Sequence, residues 1–538
     1  MNHFHILSRR GFLDRSVKLG LLGALSTLTD IPVVMKRALA QSGGGLGKNG
    51  KKLLFIFLRG ANDGLNSVIP VGDSSYNTTN RPIIMIPKDP GTDYSATGQC
   101  VFPSDTAATP TFNFANAIRL GNGFAALHPS LKFLAPVYNA GELALIHRVA
   151  YPNQSRSHFD SQNYWETGNP NNNLSKDGIF YRTIYEAGIA DKQALSGVSF
   201  QNSLPLSLRG SKAAMTNLND PTRYDLLGIP NDIAGNLKAD AALSGANATA
   251  FPDKKQRDLL SLQYENLMKT LAIFRNMDFS EAGNTFVDDS NTDNDTAPYY
   301  LFPTTNAKNG GYALHNNAAD KYVVPTDAYG FFTKLKAAAL VLNKTDAVIA
   351  GTEMGGFDTH NNQGSVTGQH ANLQRRIGWA IYALRKYFTN YADQASWKNL
   401  VVITLSEFGR TTVQNDSAGT DHAEAGVMFV AGGGVKGYGR SASQSGVFGC
   451  SPNDSYNGQS IPWVTGQNGT MFKATGRYLQ RAVDYRSVLG ELIRDHLGAT
   501  QEQLNRIIPG YAVTGEHLQS GGTSSIDKTK IFGELDLV

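Results

Sequence analysis

Five short apolar runs, spread along 538 residues, limit the fold of this chain more than any other feature. They are Leu53 to Leu58, Leu143 to Ile146, Ala347 to Ala350, Leu400 to Leu405 and Val427 to Val430. None alternates with polar residues, so each reads as a strand buried on both faces. Helical stripes lie between and after them. Leu260, Tyr264, Leu267, Leu271 and Phe274 form one, and Leu373, Ile377, Ile381, Leu384 and Phe388 a second. Tyr485, Val488, Leu489, Leu492 and Ile493 form a third, with Asp484 placed to cap it. Strands alternating with helices predict an α/β fold: a doubly wound, mostly parallel central sheet with helices on both faces. The length exceeds what one simple core serves. The expected domain spans 51–500, with loop-rich insertions near 71–123, 279–312 and 438–480 and a C-terminal extension over 501–538.

The N-terminus predicts where the chain works. Ser8-Arg9-Arg10-Gly11-Phe12-Leu13 is a twin-arginine export signature, followed by a weakly apolar stretch and a small-x-small cleavage site, Ala38-Leu39-Ala40. Residues 1–40 therefore read as a twin-arginine signal peptide, and 41–50 as a Gly-rich linker. The expected protein is periplasmic or secreted, with the twin-arginine translocase as its partner during export. The signal holds six Lys/Arg and two Asp/Glu, which is the whole of the formal +4 charge; from Gln41 onward there are 43 residues of each sign. No basic stripe interleaved with aromatics remains, so nucleic acid is not an expected partner. No later apolar run approaches the roughly 18–20 residues that span a bilayer, so no transmembrane segment is expected in the mature chain.

Cys100 and Cys450 are the two cysteines, too few for a thiolate metal site, and an oxidising compartment leaves open a bridge or two unpaired thiols. Asp288 to Asp295 is acidic but lacks the Gly and the final acid of an EF-hand loop, so it reads as a solvated loop.

In open α/β sheets, ligands bind beyond the carboxyl ends of the strands. Arg59-Gly60-Ala61-Asn62-Asp63 follows the first run, and Ser155-Arg156-Ser157-His158 comes shortly after the second. Asp358 and His360 follow the third, Ser406, Glu407 and Arg410 follow the fourth, and Asp421-His422 precedes the fifth. Singly, each is an ordinary turn or a hydrogen-bonded polar group. Together, carboxylates and imidazoles without thiols suit a divalent ion such as zinc, manganese or calcium. A hydroxyl beside such an ion is an activated nucleophile. No Gly-x-Ser-x-Gly elbow is present, which disfavours a metal-free serine esterase.

At these positions the chain resembles a known family. Asp63-Gly64-Leu65, Ser155 to Phe159, Gly356 to His360, Ser406 to Thr411 and Asp484 to Ser487 look like the secreted bacterial family labelled domain of unknown function 1501. That family looks like a branch of the alkaline phosphatase and sulfatase superfamily. The resemblance implies hydrolysis of phosphate or sulfate esters at one or two metal ions. It implies Asp63 as a ligand of a second ion, Asp358, His360 and His422 as ligands of the first, and Ser157 as nucleophile. The superfamily's Ser-Asp-His-Gly becomes Ser406-Glu407-Phe408-Gly409, in which Glu407 keeps a ligating group and Phe408 does not. Either His158 replaces the lost imidazole or the centre holds a single ion. Arg156 and Arg410 are the expected anion-binding groups, and the substrate is a small-molecule or polysaccharide ester. The rival expectation is a non-catalytic metal- or glycan-binding envelope protein on the same scaffold.

Overall fold

The computed structural model describes residues 45–102, 115–190, 195–213, 215–221, 270, 273–274, 277–280, 282–292, 298–304, 324–456, 459–463, 478–512 and 515–538. The export signature, the first four residues of the linker and most of the stripe from Leu260 lie outside them. All five apolar runs contribute strands, the third from Ile349 onward. In chain order the central sheet contains β1 (Lys52–Leu58), β2 (Leu143–Ala150), β3 (Gly197–Phe200), β4 (Thr216–Asn217), β5 (Ile349–Met354), β6 (Leu400–Leu405), β7 (Gly426–Ala431), β8 (Val447–Phe448) and β9 (Val483–Asp484). The spatial order is β8-β2-β7-β6-β1-β5-β3-β4, with β9 also paired to β2.

Two short edge strands, β8 and β9, carry too few residues to show a pattern, and β3 and β4 are no longer than four. These were not expected from the sequence.

Alternate side chains of β1 enter different cores. Leu54, Ile56 and Leu58 join one cluster, and Leu53, Phe55 and Phe57 the other. That is the period-two geometry of a strand covered on both sides. The first cluster is closed by α3 (Tyr329–Lys344) and α4 (Gln369–Asn390). The second is closed by α2 (Ile179–Glu186), α5 (Tyr485–Glu491) and α6 (Gln501–Ile507). The stripe Leu373 to Phe388 is buried as expected, and Asp484 caps α5 by accepting from Arg486 N. The α3 helix escaped the periodicity argument because Phe331 to Leu342 is apolar nearly all round.

The sheet departs from expectation in one strand. β7 runs antiparallel to both β6 and β2, while the remaining pairs are parallel. A strand buried on both faces has the same apolar pattern in either direction, so sequence could not reveal the reversal. Its consequence is functional: the start of β7 lies at the edge where the other strands end, and His422 arrives there with it.

One smaller correction and two details follow. Asp288 is not solvated; it is buried on a strand, accepting from Tyr382 Oη at 2.7 Å and pairing with Lys386 Nζ at 3.2 Å. Within the C-terminal extension, Phe532, Leu535 and Leu537 pack into the second core. Cys100 and Cys450 are both buried and unpaired.

Candidate metal centre

The segment after β2 begins a helix rather than continuing as a loop. Ser157 is the N-cap of α1 (His158–Thr167), its hydroxyl accepting from Asp160 N. Ser157-x-x-Asp160 is the start signal that polar composition concealed. His158 is thereby fixed as the first residue of a rigid element, facing the ends of β5 and β6.

Three imidazoles and a carboxylate converge there. His422 Nε2 lies 3.0 Å from His158 Nε2, 2.9 Å from His360 Nε2 and 3.2 Å from Asp358 Oδ1. Asp358 Oδ1 is 3.0 Å from His360 Nε2, and Oδ2 is 3.5 Å from His158 Nε2. Among the described residues, His158, Asp358 and His422 each bring one ligand atom within 4.8 Å of the others.

The opposite nitrogen of every ring is occupied. His158 Nδ1 meets Glu407 Oε1 at 2.9 Å, His360 Nδ1 meets Asp421 Oδ1 at 3.1 Å, and His422 Nδ1 meets the Arg156 carbonyl at 2.9 Å. A carboxylate or carbonyl oxygen can only accept, so each Nδ1 carries its proton. With Nδ1 engaged, the Nε2 atoms of the three rings are left facing one another and Asp358, the arrangement that outer-shell acceptors impose on metal-binding histidines. Two imidazolium N–H groups could not face each other at such distances.

Glu407 therefore has a different role from the one its position suggested. Its side chain is fully buried, and Oε1 accepts from Gly60 N at 2.8 Å and Gln162 Nε2 at 3.1 Å as well as from His158. Burial pushes its carboxyl up, but these hydrogen bonds, led by His158, hold it below its usual range. It orients an imidazole. Phe408 forms a floor beneath the group, its ring centroid 4.8 Å from both His158 and His422.

Asp63 stands apart from this group. It is buried in an ion pair with Arg81 Nη1 at 2.7 Å and accepts from Gln363 Nε2 at 2.7 Å. Burial raises its pKa, and the charge of Arg81 more than reverses the effect. The positive charge expected at Asp63 from a second ion comes from an arginine 18 residues downstream, within the insertion near 71–123.

Arg410 is also reassigned. Its side chain is fully buried and donates to the carbonyls of Ala61 at 2.8 Å, Thr420 at 3.0 Å and Phe357 at 3.2 Å, and to Gly60 O and Asp358 Oδ1. It ties three strand-end loops together and anchors Asp358. Burial raises the Asp358 pKa, but the hydrogen bond and charge of Arg410 lower it further. Burial together with the Arg410 charge lowers the His422 pKa and favours its neutral form. Arg156, by contrast, is exposed, its guanidinium 4.2 Å above the Tyr478 ring.

Sequence reasoning missed Gln162, and it saw Gly60 and Asp421 only as members of strand-end segments, without a role. Asp421 was visible beside His422, but its partner proved to be His360, brought in from another loop.

The family model described as protein of unknown function (DUF1501) matches residues 50–457, which include every residue of this centre. The chain belongs to that family. Neither a curated protein nor a solved structure matches it. Within this DUF1501 chain, no helix among the described residues is long and apolar enough to cross a membrane.

Proposed function

We propose that this DUF1501 protein is an exported metal-dependent hydrolase of phosphate or sulfate esters, built on an alkaline phosphatase-like variant of the α/β sheet. The observation that carries the metal reading is the set of three Nδ1 acceptors, which leaves three Nε2 lone pairs beside the Asp358 carboxylate. His158, His422 and Asp358 would hold the ion, with His360 adjoining at His422 and Asp358. Imidazole-rich donors favour zinc and disfavour calcium, which takes oxygen ligands, while the Asp358 carboxylate keeps manganese compatible. A bound divalent ion supplies charge that neutralises ester oxygens and lowers the pKa of a nearby hydroxyl.

The chain's own groups do the rest. Ser157 sits beside His158 at the N-terminus of a ten-residue helix, whose dipole favours an anion. Its Oγ attacks phosphorus or sulfur, the bond to the ester oxygen breaks, and the alcohol leaves with a proton. Water then cleaves the seryl ester. Exposed Arg156 binds the non-bridging oxygens, while Arg410 keeps Asp358 in place. The long capping contact, 3.4 Å from Asp160 N to Ser157 Oγ, is the observation that favours the rival, binding-only reading, because it gives the hydroxyl a structural role.

Turnover decides between them. Zinc- or manganese-loaded mature protein is assayed on 4-nitrophenyl phosphate, sulfate and acetate. Phosphate or sulfate hydrolysis that Ser157→Ala abolishes, and Ser155→Ala largely spares, supports the mechanism. Near-wild-type turnover by Ser157→Ala would exclude it. No turnover of any ester by metal-loaded protein would favour the binding-only reading.

A further inference from the structure

A second cavity lies between two loop regions that the metal centre does not use. Its walls come from Thr97, Gly98, Gly121 and Asn122 in the first insertion and from residues between Tyr438 and Ser455 in the last, and it measures about 500 Å³. That is within the usual range for a small-molecule site. The walls are joined by specific bonds. Asn122 Nδ2 donates to Cys450 O at 2.9 Å, and Tyr138 Oη donates to Ser445 O at 2.6 Å while accepting from Gly121 N at 3.3 Å. Gly121 packs so closely on the Gly98 carbonyl that a Cβ would overlap it.

The lining is rich in hydroxyl and amide groups, including Ser443, Gln444, Asn453 and Ser455. Asp454 is the one charged side chain among the described lining residues. It is 7% exposed, and its Oδ2 has no hydrogen-bond partner. A buried carboxylate oxygen without a donor is costly unless a ligand completes it. Burial pushes this carboxyl up to about 7, against the Arg148 charge and backbone hydrogen bonds from Gly449, Cys450 and Ser451. Tyr438 adds an aromatic wall, stacked on Tyr138 with centroids 5.5 Å apart.

This chemistry selects among ligands. An anion would meet Asp454 with no cationic side chain among the lining residues to offset it. A metal ion would find a single carboxylate and no imidazole. An apolar ligand would strand the hydroxyls. A ligand carrying many neutral hydroxyls gives Asp454 its donors, gives the Ser and Gln groups partners of either kind, and offers an apolar face to Tyr438. We propose that this cavity binds a neutral sugar unit, with Asp454 accepting from its hydroxyls and Tyr438 packing on its ring. The inference is independent of the metal centre.

Saturation-transfer NMR of the mature protein with maltose, cellobiose, lactose and N,N′-diacetylchitobiose tests it, with putrescine as a cationic control. At least one disaccharide is expected to bind, with an unchanged signal after chelator treatment. Ala442→Trp, at an exposed lining position, should abolish that signal, and Asp454→Asn should weaken binding about tenfold, as for one charge-assisted hydrogen bond. Absence of any sugar signal, binding of putrescine alone, or sugar binding that survives Ala442→Trp in a folded variant would each overturn the proposal.

Discussion

Glu407→Gln should weaken metal binding without touching a ligand. The carboxylate holds the His158 Nδ1 proton at 2.9 Å and is itself fixed by Gly60 N and Gln162. Glutamine keeps the shape but removes the charge, and its amide group can present a donor where His158 already donates. His158 then loses its orienting partner and part of its basicity. Loss of such an outer-shell partner typically costs about 10–100-fold in metal affinity, or about 1.4–2.7 kcal/mol. Competition against a zinc chelator measures this directly. Asp421→Asn removes the equivalent support from His360 and provides the parallel case. Both variants keep the ligand set, so stoichiometry at saturating metal should be unchanged. Wild-type affinity in a folded Glu407→Gln protein would refute the reasoning, because the acceptors on Nδ1 would then have no part in organising the centre.

Arg410→Lys should destabilise the fold by about 2–5 kcal/mol in chemical unfolding, because one ammonium cannot satisfy the buried carbonyls of Ala61, Phe357 and Thr420 together with Asp358. Glu491 is buried, accepts from Leu535 N at 2.7 Å and from Leu537 N, and burial pushes its carboxyl up to about 7. Its folded pKa is raised above the unfolded value of about 4.3, so its contribution is complete below that value and is lost as pH rises through about 7. Melting temperature should therefore fall more steeply from about pH 5 to about pH 8 in wild type than in Glu491→Gln; parallel curves would contradict this. Replacing Arg9 and Arg10 by lysine should leave unprocessed precursor in the cytoplasm, and normal processing would refute the export reading.

The sheet was legible because runs such as Leu53 to Leu58 are buried on both faces, and such runs have few alternative homes. Convergence of His158, Asp358, His360 and His422 was legible too, because chemistry collects where parallel strands end. Direction, role and pairing were not. The reversal of β7 leaves no mark in its composition. Nothing in the residue type of Glu407 separates a ligand from the partner of a ligand, since both need a carboxylate. Asp63 looked available because its counterion, Arg81, lies in a segment that reads as loop decoration. The polar stretch after Ser157 hid a helix, although the capping signal was present. The cavity at Asp454 is assembled from two distant loops, and no local spacing announces it.

The central claim is that His158, His422 and Asp358, with His360 adjoining, form one metal centre. Elemental analysis of mature protein, folded with zinc or manganese and freed of loose ions, tests it most directly, alongside His422→Ala and Asp63→Asn. The account predicts about one equivalent of metal per chain in wild type, a large loss in His422→Ala because that ring touches every other member, and retention in whatever Asp63→Asn protein folds. Wild type without bound metal, or His422→Ala with its full complement, would contradict it.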